Sequence, residues 1–465
     1  MEKLNYLGIS LFKACQSGKA EIVKLLLERL DTENTELNAK DKSTITSSFM
    51  LACEKGHTNI AKLLLDHSAK NIDFDERIDD EIYGGRTAFM VSCEKGHKDV
   101  VQLLLNHSAT NFDLNAGTDD EYTGGRTAFM ISCAEGHKDV VQLLLDHSKR
   151  RQTIDLNARD QNGMTAFSLA CSNPNKDVVQ LLLDHHLDIE LNSVDNEGFN
   201  AFMSACLEDE DNFRLLLDNS DIFDLNAKDN NGCTALILAC QNPRPNVVRI
   251  LLERAADKKI EMNARDDDGC TAFMNACING DADIVQLFLD FYSDGKIDLN
   301  AKDGDGCTAF MLACINGCND VVQLLLDHSE FSESIELNSV DEDGWTALMF
   351  ACNKGRKDVV QLLLDHSDSN IEVNSRDKDG WTGFMIACSG GHTDIVELFL
   401  DRSYRNIELD TLANDGRTAK QLACHFGHRD VHDLLFEHQV RNILLNSGDK
   451  DEESDEESCA CENCL

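Results

Sequence analysis

Nineteen cysteines and 15 histidines in a chain of 465 residues supply enough soft ligands and nucleophiles for metal binding, disulfide formation or thiol catalysis. Cys424, His425, His428 and His432 fall within one short stretch, at spacings that could wrap a zinc ion. The run Lys302-Asp303-Gly304-Asp305-Gly306 has the look of a calcium loop. A twelve-residue loop with Gly306 at its glycine position would start at Ala301 and end at Leu312, so both terminal ligands are missing. Three more cysteines, Cys459, Cys461 and Cys464, follow an acidic run and could be acylated or capture a metal. No phosphate-cradling glycine loop, nucleophile elbow or isolated acid/base pair is present, so no enzyme is expected, and neither a cofactor nor a metal.

Charge narrows the partners. Eighty-four Asp and Glu against 43 Lys and Arg give a net charge of −41, and no local basic patch offsets it. Nucleic acid and anionic membranes would be repelled. No stretch approaches the ~18 apolar residues of a membrane span. The sequence therefore reads as a soluble intracellular protein, cytoplasmic or nuclear, and as a monomer.

The cysteine spacing shows what must position these residues. Cys15, Cys53, Cys93, Cys133, Cys171, Cys206, Cys240, Cys277, Cys314, Cys352, Cys388 and Cys424 are separated by steps of 34 to 40 residues. Around each the frame repeats as Asp-x-x-Gly, Thr-Ala-Phe-Met-x-Ala-Cys, Gly-His-x-Asp-Val-Val-Gln-Leu-Leu-Leu and Asp-Leu-Asn-Ala-Lys-Asp, and residues 84–108 match 124–148 at 21 of 25 positions. Thr87, Thr165 and Thr308 carry the oxygen an N-cap needs and precede about two turns of apolar helix. Gly96, Gly136 and Gly317 end that helix where a left-handed residue is wanted. Val100, Val101, Leu103, Leu104 and Leu105 form the broad apolar face of a second helix, with Asp99 in its first turn. Each unit is helix, tight turn, helix.

At these residues the chain resembles the ankyrin repeat family, whose pattern D-x-x-G-x-T-P-L-H-x-A-A-x-x-G-H appears as DKDGWTGFMIACSGGH at 377–392. The resemblance extends over about residues 4–440 in twelve units. Tetratricopeptide and HEAT repeats need longer first helices and lack the Gly-x-Thr turn. The chain departs from the family in placing Ala after Thr, Met in the family's His position, and Cys for the second Ala. Loss of that His removes a hydrogen bond to the Thr, so packing is expected to carry more of the stability. The twelve frame cysteines are expected as small core residues, and the His428 cluster as turn histidines.

The extra length of most repeats lies between the third Leu and the Asn, as from Leu145 to Asn157, which predicts an added helical turn or a loop. Inserts at 79–85 and 119–125 lengthen two fingers. Pro174, Pro243, Pro245 and a deletion near Cys206 mark the middle as the place for a joint. The resemblance thus implies an all-α repeat solenoid, a curved superhelix of about 12 repeats over residues 1–448. Its fingers would be short and hairpin-like, and terminal capping repeats fall near 4–30 and 411–440. From 449 to 465 the composition predicts a disordered acidic, Cys-containing tail.

The family binds proteins on its concave face. Carried over by position, the slot between Gly and Thr holds Arg86, Arg126, Phe199, Trp345 and Trp381. Glu94, Lys95, Ala134, Glu135, Asn353 and Lys354 lie beside it, and Tyr83 and Tyr122 occupy the finger inserts. The two tryptophans, the only ones in the chain, stand in adjacent repeats, which is how a contact hot spot looks. The expected function is a scaffold or adaptor binding a basic or mixed-charge protein. Two alternatives stay open. The finger asparagines, among them Asn157, Asn226 and Asn300, match the slot hydroxylated in the family, and Ser454 before Asp455-Glu456-Glu457 resembles casein kinase 2 sites. The chain could also be the regulatory subunit of a signalling enzyme.

Overall fold

The computed structural model describes residues 2–32, 39–68, 72–77, 85–107, 113–119, 124–151, 153–292, 296–332, 335–366, 371–401 and 407–446. Among them are 24 α-helices in twelve consecutive pairs. The chain divides into two compact units, Met1–Asn230 and Asn231–Leu465, with six pairs in each. Inside each unit every first helix packs on the first helix of the next pair, and every second helix on the next second helix. The fingers between pairs form no ladder among the described residues, only the isolated bridges Val194–Asn200, Arg265–Thr271 and Lys302–Thr308. This is an all-α repeat solenoid, as the periodicity implies. The tail from 449, with Ser454 and its three cysteines, lies outside the described residues, as do Asn38, Tyr83, Tyr122 and most of both finger inserts.

The local chemistry of each repeat sets the helix boundaries. Thr308 is extended (φ −84°, ψ 165°) and its side chain accepts from the Met311 N–H at 3.4 Å, starting the helix Ala309–Asn316. In return the Met311 sulfur receives the Thr308 N–H at 3.4 Å, and Met90, Met274 and Met349 do the same for Thr87, Thr271 and Thr346 at 3.3–3.5 Å. Methionine therefore does more than pack. Its sulfur, a weak acceptor, takes the place a Glu or Gln fills in a capping box. Ser168 and Gln421 fill it with oxygen, at 2.8 and 3.0 Å from the Thr165 and Thr418 nitrogens.

Gly96 closes the first helix at φ 70°, and the next repeat adds a second reason for glycine there. A Cβ on Gly96 would lie 2.6 Å from the His137 Nδ1. That ring is held by its other nitrogen, Nε2, which lies 2.5 Å from the Glu94 carbonyl oxygen and so covers an orphan acceptor at the helix C-terminus. His97 does the same for Glu54 at 2.7 Å, and Arg356 for Ile315 at 3.0 Å. The repeat at Cys206 has lost its Gly-His turn. Its helix Ala201–Glu208 is followed at once by Glu210–Asp218, and the fully buried Asn212 reaches the Ala170, Cys171 and Asn173 carbonyls at 3.4, 3.3 and 2.6 Å. The division between the two units falls in the finger just after this repeat.

The extra residues after the second helix take both predicted forms. Lys138–Arg151, Pro245–Lys258 and Asn319–Ser332 each run to 14 residues, whereas Lys98–Asn106 and Lys357–Asp365 stop at nine. The core is the Phe, Met and Val set of the frame with the second and third Leu of its stripe and the frame cysteines, nearly all buried, while the first Leu is half-buried in most repeats, as at Leu103 and Leu143. All sixteen described cysteines are thiols. At the C-terminal end the last pair is polar where others are apolar, with Lys420 and Gln421 in the Phe and Met positions. The first pair is not. Ile9, Phe12, Ile22 and Leu25 are all exposed there, which departs from the wetted outer face expected of a terminal repeat.

Candidate protein-binding face

The slot between finger glycine and cap threonine is built by one recurring device. In most described fingers the first Asp of the tip folds back so that its carboxylate accepts two backbone N–H groups. Asp341 takes those of Asp343 and Trp345 at 2.9 and 2.7 Å, and Asp377 those of Asp379 and Trp381 at 3.0 and 2.7 Å. This Asx-type turn fixes the backbone of the slot residue and so aims its side chain. Along the finger bases Arg159 and Arg376 reach into the following finger, the latter donating to the Leu412 carbonyl at 2.7 Å.

In the second unit the slot holds Cys233, Cys270, Cys307, Trp345, Trp381 and Arg417. The three cysteines are buried. Burial first, and then the surrounding finger aspartates, push the Cys270 and Cys307 thiols up to about 12. They are inert small residues rather than nucleophiles. The two tryptophans are half-buried. Trp345 packs on Phe350 of its own repeat, with ring centroids 5.2 Å apart. Trp381 meets Phe426 of the next repeat edge-on at 6.4 Å, and Phe426 is 50% exposed. Phe350 and Phe426 are absent from the sequence-derived set. The signal was a phenylalanine in the variable position after Met, and another just ahead of a turn glycine where other repeats carry polar residues.

In the first unit the slot is used differently. Arg86 pairs with Glu94 at 3.0 Å, and Lys95 with the same carboxylate at 2.8 Å. Arg126 donates through Nε to Asp160 of the following repeat at 3.1 Å. Both guanidinium groups thus have partners within the fold. Phe199 is half-buried, its N–H held by Asp195 at 2.8 Å.

The finger asparagines form a ladder between repeats. Asn157 donates to the Asp188 carbonyl at 3.2 Å and accepts the Glu190 N–H at 2.8 Å, and Asn263 repeats this at Lys296 and Asp298. Asn300 accepts the Glu336 N–H at 2.9 Å. Asn226 donates its backbone N–H to Asp224 at 3.0 Å. For Asn157 and Asn263 both ends of the amide are occupied.

The Cys-His cluster does not converge. Cys424 is buried, His425 sits edge-on to Phe426 at 5.0 Å, His428 lies against Gly391, and His432 pairs with Asp433 at 3.2 Å. Among the described residues no group of three or more His, Cys, Asp or Glu is placed to hold a metal, and no helix is long and apolar enough to cross a membrane.

Paired helices, capped by Thr, turned by Gly and linked by fingers, define a repeat protein whose outward residues are free to vary. The family model described as ankyrin repeats (3 copies) matches overlapping segments from residue 11 to 447, namely 11–117, 49–160, 112–195, 149–229, 187–262, 219–303, 258–336, 291–377 and 369–447. The chain belongs to the ankyrin repeat family, whose members are generally protein–protein interaction modules and typically non-catalytic. No curated protein matches it.

Proposed function

We propose that the chain is a non-catalytic scaffold or adaptor that binds a protein partner along the slot row, anchored at Trp345 and Trp381. The reading rests on one observation. Trp345 with Phe350, and Trp381 with Phe426, offer half-buried and half-exposed aromatic surface in adjacent repeats. Preorganised aromatics lose little side-chain entropy on binding and dominate contact energies. The finger tips beside them, Asp341-Glu342-Asp343 and Asp377-Lys378-Asp379, are mostly acidic, so the partner segment is basic or mixed in charge.

The test is affinity capture coupled to cross-linking mass spectrometry, comparing the native chain with Trp345→Ala/Trp381→Ala. Loss of cross-links to this face and a fall in capture of tenfold or more are expected, with capture weakening as salt rises. Unchanged capture by the double variant removes the anchor.

A further inference from the structure

The helix Lys138–Arg151 ends in Lys149-Arg150-Arg151, the one run of three consecutive cations in a chain of net charge −41. They belong to the extension that carries this second helix to 14 residues, where Lys98–Asn106 stops at nine. All three are exposed, and among the described residues none makes an ion pair or a side-chain hydrogen bond. A helix C-terminus favours cations by its dipole alone. The other two 14-residue second helices, Pro245–Lys258 and Asn319–Ser332, nevertheless carry one cation and none in their last turns. A neighbouring acid is missing as well, because the preceding second helix ends in Asn106 where the frame has Asp, as at Asp66 and Asp146. Burial, and then Arg151 and Arg150, hold the His147 imidazole below its usual range, so this positive charge is felt within the repeat rather than cancelled there.

An open cleft of about 390 Å³ lies at this helix end. Leu145, Ile154 and Leu156 give it apolar lining, Lys149 a cation, and Asp188 of the following repeat an acid. Asp155 lines it too, but its carboxylate already accepts the Asn157 N–H at 3.0 Å. Ser148, 8% exposed, donates to the Ile154 carbonyl at 3.3 Å and so ties the helix end to the start of the finger. Next in sequence to Asp188 stands Leu187, at 90% the most exposed large apolar residue among those described. A polynucleotide or an anionic bilayer presents extended charge, which the −41 of the whole chain repels. A short segment meets only the local field, since charges beyond about 8 Å are screened at physiological salt. We propose that the end of helix Lys138–Arg151 and this cleft form a second docking surface, distinct from the tryptophan slots, for an acidic segment of a partner protein. Carboxylates of the segment pair with Lys149, Arg150 and Arg151, one apolar side chain enters the cleft beside Leu145, Ile154 and Leu156, and Asp188 accepts a backbone N–H. The charge it selects is opposite to the charge favoured by the acidic finger tips.

The test uses the full chain and a fluorescein-labelled peptide, Gly-Asp-Glu-Glu-Leu-Asp-Glu-Gly, in fluorescence anisotropy. Saturable binding with a Kd of about 100 μM or tighter is expected, weakening as salt rises. Lys149→Gln/Arg150→Gln/Arg151→Gln should weaken it at least tenfold with an unchanged melting curve, because these side chains have no partner in the fold. Leu187→Ser, and Ser in place of the Leu of the peptide, should each weaken it about threefold. Lys149→Glu/Arg150→Glu/Arg151→Glu should bind a peptide with Lys in place of every acid at least tenfold more tightly than the native chain does, a gain that a weakened helix would not produce. On addition of the acidic peptide, amide hydrogen exchange should slow around Leu145 and Ile154. No binding up to about 1 mM overturns the proposal. So does equal binding by the neutral triple variant, no gain for the charge-reversed one, protection confined to the fingers around Trp345 and Trp381, or tighter binding of a single-stranded oligonucleotide or of anionic vesicles.

Discussion

Arg126 donates through Nε to Asp160 Oδ2 at 3.1 Å, across the boundary between two successive repeats, and the Asp160 side chain is 1% exposed. The other carboxylate oxygen accepts the Asn162 and Met164 N–H groups at 3.0 and 2.9 Å. A carboxylate so far from water needs every one of these partners. Arg126→Ala leaves it one charge-assisted bond short and is expected to cost about 2–3 kcal/mol in urea unfolding. Arg86→Ala, whose Glu94 partner keeps Lys95 at 2.8 Å on its other oxygen, is expected to cost less, about 1–2 kcal/mol. Equal losses at the two sites would refute this ranking.

Two glycines separate backbone strain from contact with the neighbouring repeat. Gly96 and Gly427 hold φ of 70° and 80° at equivalent turns. A Cβ at Gly96 would strike the His137 ring, whereas nothing lies within 4 Å of one at Gly427. Gly427→Ala should cost about 1 kcal/mol, the strain of a left-handed residue with a side chain. Gly96→Ala adds displacement of His137 from the Glu94 carbonyl and should cost roughly twice as much or more. Thermal melts of the two variants measured side by side decide it.

Much of this fold is legible in sequence because its instructions are local and repeated. Thr caps, turn glycines and the Val-Val-Gln-Leu-Leu-Leu stripe need only near neighbours to be interpreted, and twelve copies average out exceptions such as Asn200 standing in for Thr. Contacts one repeat apart are less visible. That Arg126 serves Asp160, that His137 occupies the space beside Gly96, and that Phe426 meets Trp381 all join residues more than thirty positions apart. The slot residues are therefore identifiable by position, while whether a given cation faces solvent or a buried acid depends on the next repeat. The methionine sulfur as a cap acceptor also escapes a reading by residue class, since Met counts there as apolar.

The asparagine ladder joins exposed fingers, where water can replace a lost partner. Asn157→Ala removes a donor to Asp188 and an acceptor for Glu190 and is expected to cost about 1 kcal/mol, with faster amide hydrogen exchange at Glu190. Unaltered exchange there would show that the bridge does not hold the finger. Asn157→Asp keeps the acceptor and loses the donor, and should fall between the native chain and the Ala variant.

The core thiols make stability depend on alkaline pH. Burial raises Cys15, Cys53 and Cys93 to about 12, from an ordinary thiol range near 8.5. In the folded chain they stay protonated at pH 10, while in the unfolded chain they have ionised. The stability they contribute is therefore complete below about pH 8.5, declines as pH rises, and is fully lost by about pH 12. Each such thiol removes up to about 1.4 kcal/mol per pH unit across that window, so the urea midpoint should fall steeply between pH 9 and pH 11. Cys93→Ala should make that fall shallower, even if it lowers stability at pH 7 by leaving a small cavity. Cys318 is the one described cysteine that is only half-buried; burial pushes its thiol up and Arg356 opposes that push only in part. In native protein at pH 8, peptide mapping should find Cys318 alkylated before any of the other fifteen described cysteines. Early labelling of Cys93 or Cys133 instead would mean that the stack opens locally at those repeats.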